Sequence, residues 1–401
     1  MMERHGIKAI LILISVILLL SPLTEAQTQP PSRVELLRKK RLEKAHRLHP
    51  YRPGRLERLF MFIEEGHIQA ILSRGFAGFY PVFGGIRTGA GTAGGILFRP
   101  RLPRRYLHVS LRAAFSIRSY QGYQGVIGFT PRRWSVLGFI RYRQMPKEDF
   151  FGIGGNSRAE LRSTYRLNDF QVGGAAGVFL GQSVSAMVQL SFLRNDPGPG
   201  KERSVPQVGD VFPETEAPGL TEAVGFLISR LQLRFDFRNI RKNRLTPRAF
   251  ALQDDPLAAR TLNPDRGVLL ELQLSRYDDV DTDRYSFHRL NVELQEYFSF
   301  YRAHQVLAFR QFVSITDRNG HGEIPIYLMQ TLGGGNSLRA YRDFRFRDNH
   351  VLLLNGEYRW RAWTGLQMAL FFDAGKAVSR RSGLNFARMI TSYGIGARIR
   401  T

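Results

Sequence analysis

Near the carboxyl end of the chain, one arginine and two acidic residues are of the types that form ion pairs. Arg339 lies in a glycine-rich segment, 332–341, and Glu357 and Asp373 lie in two later apolar stretches. A guanidinium group presents a fork of N–H donors that can bind carboxylates on two sides. One arginine could therefore bind both acids if they lie on the same face of their stretches, but their spacing alone does not show that the three residues meet.

Other arrangements that could carry chemistry are weaker. Residues 89–94 fit the GxGxxG pattern of dinucleotide-binding loops, but no helical pattern follows them, and glycines of a strand are the alternative. Asp279, Asp281 and Asp283 suggest a calcium loop, yet the loop glycine and distal glutamate of an EF-hand are missing, and a solvated hairpin tip is the alternative. The histidines form no HExxH motif and no Ser/His/Asp order. We therefore expect no catalytic residue, no metal site and no cofactor, and rank a barrel-embedded hydrolase third among the possible functions.

The composition excludes several classes of protein. The 401 residues include no cysteine, which excludes a disulfide framework, a thiolate nucleophile and Cys-ligated zinc. The 58 Lys and Arg against 34 Asp and Glu give a net charge of +24, which would suit a nucleic-acid binder. However, arginine recurs along almost the whole chain and does not form one patch. We therefore expect no nucleic-acid partner.

The amino-terminal residues have the pattern of an export signal. Basic residues precede an unbroken apolar run, 9–20, and a small-residue cleavage site ends at Ala26. The run is shorter than the about 20 residues that a membrane-spanning helix needs. We predict a signal peptide at 1–26 and an exported mature chain.

Residues 27–76 are predicted to form a periplasmic helical segment or linker. A basic stretch follows Pro31, and apolar residues recur at helical spacing within 56–71, which predicts one short amphipathic helix. Such a helix either packs on, or plugs, the following domain, or lies on anionic lipid. Acidic residues on its polar face favour the first alternative.

From Ala77 onward the apolar residues no longer recur every 3.6 residues, as in a helix, but every second residue, as in a strand. Leu111 and Phe115 alternate with Arg112, and similar alternation surrounds Leu272 and Leu354. A soluble sandwich would also alternate, but these stretches are longer than usual strands and carry aromatic residues at their ends. Together with export, the pattern predicts an all-β fold, an antiparallel transmembrane β-barrel of about 14 strands with apolar side chains toward lipid.

Individual strands and loops follow from the same pattern. The first strand is predicted near 89–99, and two separate strands near 161–170 and 171–181. Closure would then pair the last strand, near 388–400, with the strand near 89–99, since an unpaired edge in hydrocarbon is costly. Three longer connections are predicted together on the extracellular rim. They lie at 195–221, 238–265 and 317–348.

The glycine-rich segment and the two acidic stretches resemble motifs of the BamA/TamA superfamily of outer-membrane barrels, also called bacterial surface antigens. In that family a loop arginine folds into the lumen and meets acidic residues of two strands. The resemblance implies that Arg339 pairs with Glu357 and Asp373 and tethers its loop inside the barrel. Both acids alternate along the sequence with large apolar residues that would face lipid. Because alternate residues of a strand point to opposite faces, this pattern independently places both acids toward the lumen. The loop motif itself would comprise Leu338, Ala340, Tyr341 and Gly375.

The resemblance covers roughly residues 77–401 and implies a role in membrane protein assembly, the insertion or translocation of polypeptides at the cell outer membrane. It implies outer-membrane lipid, lipopolysaccharide and unfolded outer-membrane polypeptides as partners. A passive, anion-favouring pore or a structural barrel is the alternative, because arginines would line the lumen.

Three features depart from the family pattern. Ala340 replaces the usual glycine of the loop motif. Segment 27–75 is too short for a polypeptide-transport-associated domain. The sequence has about two strands fewer than the family's about 16. We therefore expect a barrel that either lacks its last two strands or closes differently.

Overall fold

A computed structural model of the chain describes most of it in two compact units, divided between Met61 and Phe62. The predicted signal peptide and the predicted amphipathic helix at 56–71 lie outside the described residues. No helix within the described part is long and apolar enough to span a membrane. The described residues are 33–47, 76–104, 106–239, 264–301, 304–320, 322–363 and 366–399.

The first unit contains helix α1, Arg33–Arg47. The basic stretch after Pro31 forms this helix, which has no broad apolar stripe. Val34 and Leu42 on it are exposed. The sequence pattern did not predict this helix, because its apolar positions are few and scattered among charges.

The second unit is dominated by a 14-stranded antiparallel sheet, in which the strands are ordered as they occur in the chain. A two-stranded sheet of β12 and β13 interrupts this order within one loop. A single-turn helix, α2, covers Val208–Val211. The strands are β1 Phe79–Gly84, β2 Ala93–Phe98, β3 Leu107–Ser116, β4 Gln121–Phe129, β5 Trp134–Phe150, β6 Ser163–Leu180, β7 Val184–Pro199, β8 Val224–Asp236, β9 Gly267–Asp279, β10 Phe287–Phe300, β11 Gln305–Arg318, β12 Gln330–Leu332, β13 Phe346–Asp348, β14 His350–Arg361, β15 Leu366–Val378 and β16 Ile390–Ile399.

Alternation of side chains gives the sheet an apolar outer face and a polar inner face, as a barrel in lipid requires. Large apolar side chains on neighbouring strands pair in register across the outer face and are exposed. Amide side chains next to them in sequence point inward and are buried. The apolar row is Val188, Leu231, Leu274 and Leu290, and the adjacent buried amides are Gln189, Gln232 and Gln273.

The large sheet has the predicted number of strands, 14. The numbers agree because two errors compensate: one strand was missed, and one strand was predicted as two. Strand β1 precedes the first predicted strand and was missed because Pro81 and Gly84 weaken its alternation. The two strands predicted at 161–170 and 171–181 are one strand, β6, which continues through Gly173. A Cβ atom at Gly173 would collide with Ser191 of β7, so this glycine permits close strand approach and does not mark a turn.

The predicted closing pair is wrong. The strand predicted near 89–99 corresponds to β2, which pairs with β1 on one side and β3 on the other, so it is not an edge. Among the described residues, each strand of the large sheet is hydrogen-bonded to the strands before and after it in the sheet order, and β1 is not hydrogen-bonded to β16. The edges of the sheet are therefore β1 and β16.

The connections alternate between two rims, because each strand runs antiparallel to the one before it. Connections 200–223 and 319–349 belong to one rim, which we call the loop rim. Connection 237–266 belongs to the other, the turn rim, together with the short turn 181–183. The prediction that all three long connections share one rim is therefore wrong, since 238–265 lies at the opposite rim from the other two.

At the loop rim, several connections pack into the mouth of the sheet. Ile86 from the first loop and Phe212 from the fourth are buried against Phe150 of β5, in a cluster that includes Ile326 of loop 319–349. Arg347 of the same loop is buried and donates hydrogen bonds to the backbone oxygen of Ile326 at 2.7 Å and to a tyrosine hydroxyl of β6. Loop 319–349 is thus packed among the other loops as well as against the strands.

The assignment of the two faces predicts the labelling of single cysteines. In a Leu111→Cys variant reconstituted in vesicles, the thiol should resist a water-soluble maleimide, because Leu111 lies on the apolar outer face. In an Arg112→Cys variant the thiol should react, since it faces the lumen. The chain contains no cysteine, so the unchanged protein is a clean background. Reaction at position 111 with protection at 112 would mean that the register is shifted by one residue.

Candidate functional site

The candidate site lies on the inner face of β14 and β15, where the register brings acidic residues of the two strands close together. Glu357 of β14 pairs in register with Phe371 of β15, and Asn355 pairs with Asp373. Positions two apart on a strand share a face, so these four side chains share one patch of the inner wall. Arg339 reaches the patch from the loop between β12 and β13.

Arg339 binds both acids. Its Nη1 lies 2.8 Å from Oε2 of Glu357, and its Nη2 lies 2.6 Å from Oδ1 of Asp373. Its Nε donates to Oδ2 of Asp373 at 3.0 Å, and its backbone N–H donates to the same oxygen at 3.1 Å. The guanidinium carbon lies 3.9 Å from the ring centroid of Phe371, so the cation also stacks on an aromatic face. We call Arg339, Glu357 and Asp373 the clasp.

Asp373 is fully buried, and other polar groups complete its coordination. Asn355 donates from Nδ2 to Oδ1 of Asp373 at 2.8 Å, and Ser392 of β16 donates from Oγ to Oδ2 at 3.0 Å. Asn355 also donates to the backbone oxygen of Ser337 at 2.9 Å, which links the strand to the loop a second time. A buried carboxylate is tolerated only when it is paired and hydrogen-bonded, and Asp373 meets both conditions.

Glu357 joins the clasp to two further arginines. Nε of Arg359 lies 2.8 Å from Oε1 of Glu357, and Nη2 of Arg398 lies 3.1 Å from the same atom. Three guanidinium groups thus share two carboxylates. The cluster spans β14, β15, β16 and the loop, so it ties the last three strands to loop 319–349.

The loop backbone is shaped to bring Arg339 to this position. Gly333 and Gly334 adopt positive φ values of 119° and 81°. A Cβ atom at Gly334 would collide with the carboxylate of Asp343, so this turn requires glycine. Ser337 holds the turn closed, because its Oγ accepts from the N–H of Gly333 at 2.8 Å and donates to the oxygen of the same residue at 2.9 Å.

The predicted loop-motif residues pack around the clasp. Leu338 is fully buried and lies against Gly375 of β15. A Cβ atom at Gly375 would lie 3.3 Å from Leu338 and 3.0 Å from Leu332, so glycine makes room for the loop. The Tyr341 ring packs edge-on against Phe346 at 5.1 Å.

Ala340 does not disturb the loop path, although glycine is usual at this position in the family. It is exposed, and it is not among the residues with positive φ. An alanine methyl group therefore fits here without backbone strain.

The structure brings together the three residues predicted for the clasp and adds partners that the sequence reading missed. Asn355 and Arg359 could have been found from parity, since they flank Glu357 at two-residue spacing on the same face. Phe371 and Ser392 could not, because their proximity depends on strand register. The alternating pattern does not specify which residues of neighbouring strands pair.

The competing motifs have structural explanations. Residues 89–94 run into strand β2 and not into a helix. Asp279 accepts backbone hydrogen bonds from Asp281, Thr282 and Tyr285, so it caps the β9–β10 turn. Within the described residues, no group of three or more His, Cys, Asp or Glu side chains could hold a metal ion.

The clasp is suited to holding a loop in place. Its hydrogen bonds are charge-assisted, and the carboxylate of Asp373 is fully buried in the inner wall. Losing one partner of such a confined pair leaves an uncompensated buried charge. The arrangement therefore fixes loop 319–349 to β14 and β15.

Comparisons with known proteins give a family match for part of the chain and similar folds for most of it. Residues 257–401, which contain the whole clasp, match the Omp85 superfamily domain. The fold is similar to the crystal structure of BamA from Haemophilus ducreyi lacking POTRA domains 1–3, with a TM-score of 0.56 and 13% sequence identity. That match covers 80% of this chain and 63% of the BamA chain, so this chain spans less than two thirds of its length.

A second similar structure is CdiB from Escherichia coli, with a TM-score of 0.47, 10% identity, and coverage of 80% of this chain and 56% of that one. A search of curated proteins finds no match. Residues 257–401 thus match the Omp85 superfamily domain, and the large sheet has the fold of the BamA barrel.

Proposed function

We propose that the protein is an exported outer-membrane barrel that takes part in the insertion or translocation of other polypeptides. The observation that carries the proposal is the clasp, which holds a long loop inside the barrel and lies within the Omp85 superfamily domain. A barrel that served only as a scaffold would not need a buried charge cluster that joins a loop to its last three strands. In this proposal the loop rim faces outward and the turn rim faces the periplasm.

The inner wall toward the turn rim supports a role in handling polypeptides. It carries paired charges on β8 to β11, a wettable surface on which an extended chain could exchange hydrogen bonds. Three arginines and three acids contribute, so this group of pairs has little net charge. The ion pairs are Arg234 with Asp236 and Glu271, Arg238 with Asp236, and Arg310 with Glu293.

The same wall weakens the alternative of an anion-favouring pore. That alternative was based on arginines that recur through the sequence. An arginine paired with a carboxylate contributes little to anion selectivity, because the field of the pair falls off quickly. In addition, loops packed into the mouth at the loop rim narrow the path for solutes.

A reconstitution experiment tests the proposal. Liposomes containing the purified chain should fold a denatured small outer-membrane barrel several-fold faster than empty liposomes, scored by heat-modifiable gel migration. Liposomes with the Arg339→Ala variant should lose most of this acceleration. A barrel of unrelated family at equal density is the control for membrane defects.

The same liposomes separate the alternatives. Equal folding rates with the wild-type chain and with the unrelated barrel, together with a steady anion-selective conductance in planar bilayers, would reject assembly in favour of a passive pore. Protease protection of an added polypeptide inside the liposomes would indicate translocation as distinct from insertion.

A further inference from the structure

A pocket of about 460 Å³ opens at the loop rim, between loop 151–162 and loop 319–349. It lies next to the clasp, since Ala340 and Tyr341 line it while the side chain of Arg339 reaches the clasp acids. The remaining walls include an aromatic ring, Phe151, and several guanidinium groups. The proposed function does not use this pocket.

Arg345 lines the pocket and has no acidic partner among the described residues. Its Nη1 donates to Oγ of Ser157 at 2.6 Å and its Nη2 donates to the backbone oxygen of Ser157 at 2.5 Å. Its guanidinium carbon lies 5.2 Å from the Phe151 ring centroid and 4.6 Å from that of Phe346. Within the described part of the chain, no carboxylate lies within ion-pair distance of it. Burial lowers the pKa of Arg345, and Glu160 opposes this effect only from a distance.

The two other arginines of the pocket differ in their pairing. Nη2 of Arg162 lies 2.9 Å from Oδ1 of Asp149 and 3.3 Å from Oε1 of Glu202, so the charge of Arg162 is already compensated. The side chain of Arg342 is exposed and makes no hydrogen bond or ion pair with any described residue, although its backbone oxygen accepts from the N–H of Arg345. The pocket thus presents two guanidinium groups without acidic partners, Arg342 and Arg345.

We propose that this pocket binds a phosphorylated sugar. Guanidinium groups bind phosphate oxygens in a bidentate manner, and Arg342 and Arg345, which line the pocket without acidic partners, provide a place for the phosphate. The half-buried ring of Tyr341 also lines the pocket and offers an apolar face against which a sugar ring packs. The volume falls in the range of small-molecule sites, which combine aromatic walls with a few convergent polar groups.

Such a ligand would bridge the two loops. Phe151 belongs to the connection after β5, whereas Tyr341, Arg342 and Arg345 belong to loop 319–349. Because the bound form holds both loops, binding should raise the thermal stability of the barrel with ligand concentration. The inference does not depend on polypeptide insertion, so it can fail or hold independently.

Calorimetry on the full chain in detergent micelles provides the test, with glucose 1-phosphate, inorganic phosphate and glucose as probes. Glucose 1-phosphate should bind, inorganic phosphate more weakly, and glucose not measurably. Arg342→Gln should weaken binding of glucose 1-phosphate about tenfold to a hundredfold, the loss expected for charged hydrogen bonds. Because Arg342 is exposed, this variant should keep its heat-modifiable migration.

The matched control is Arg158→Gln. Arg158 is an exposed arginine of loop 151–162 that does not line the pocket, so its loss should leave binding unchanged. Equal weakening by both variants would show diffuse charge attraction and overturn the proposal, as would equal affinity for glucose and glucose 1-phosphate or no binding of either.

A competition experiment identifies the source of the ligand. Nanodiscs that contain lipopolysaccharide, compared with nanodiscs of phosphatidylcholine, should reduce the affinity for glucose 1-phosphate if the natural ligand is the phosphorylated headgroup of that lipid. Unchanged affinity in both would assign the pocket to a free sugar phosphate.

Discussion

Replacing Arg339 with alanine should destabilise the barrel by about 3–5 kcal/mol, or release loop 319–349 from the lumen at a similar cost. The reason is Asp373, which is fully buried and receives a bidentate pair and a backbone N–H from Arg339. Without the guanidinium group, a carboxylate remains inside the wall with only neutral donors. An exposed ion pair of the same length would contribute under about 1 kcal/mol.

Two measurements check this expectation. Urea unfolding of barrels refolded in micelles gives the stability, and protease cleavage within 319–349 on intact cells reports the loop. Asn336→Ala is the control, because Asn336 belongs to the same loop but its side chain is exposed and outside the clasp. If Arg339→Ala and Asn336→Ala gave the same stability and the same cleavage as the wild type, the clasp would have no role in holding the loop.

Conservative changes separate charge from shape within the clasp. Arg339→Lys keeps the charge but loses the fork that reaches Glu357 and Asp373 together, so it should recover only part of the loss. Asp373→Asn should be less harmful than Arg339→Ala. It leaves the guanidinium group with Glu357, which lies 2.8 Å away on its other side.

The pairing of Arg339 with the two acids was implied by the family resemblance, whereas the face on which the acids lie was open to prediction because it depends on local alternation. Glu357 and Asp373 each alternate with apolar neighbours, and a period of two fixes which face a side chain takes. What the period does not supply is register. The contact of Ser392 with Asp373 requires that β16 pair with β15 at one specific offset, and nothing local in either strand encodes it.

The strand errors have a similar origin. Glycine and proline are rare in strand interiors, yet Gly173 lies within the long strand β6 and Pro81 lies in β1. In a sheet these residues can also occur at an edge or where strands approach closely. The two errors cancelled in the count but not in the pairing, which is why the closing partner was misplaced. The opposite rims of 200–223 and 237–266 follow once the strand order is known.

Buried polar networks among the loops lay beyond the sequence pattern. Arg347 is buried between loop and strand and donates to the hydroxyl of Tyr165 at 3.0 Å, across a long separation in the chain. No periodicity marks such a residue, since loops have none. The same holds for Arg345, whose partner Ser157 belongs to a different loop.

Placing an arginine at Leu231 should destabilise the barrel by about 2–4 kcal/mol, the cost of this side chain near the bilayer midplane. Leu231 lies near the middle of β8, faces outward, and pairs in register with Val188 and Leu274, which are also exposed and apolar. The preceding residue, Arg230, is an arginine at nearly the same depth. It faces the lumen, where it donates from Nε to Oγ of Ser275 at 3.3 Å. Positions 230 and 231 therefore differ in their surroundings, since residue 230 faces the aqueous lumen and residue 231 faces hydrocarbon.

The matched control is Leu231→Ala, which removes apolar area without adding charge and should cost clearly less than Leu231→Arg. Urea titration of folding into lipid vesicles, followed by heat-modifiable migration, compares the two variants with the wild type. In detergent micelles the penalty for arginine should shrink, because water reaches the outer face more easily there. Equal stability of Leu231→Arg and Leu231→Ala in vesicles would mean that position 231 does not meet hydrocarbon, and the outer face of β8 would have to be reassigned.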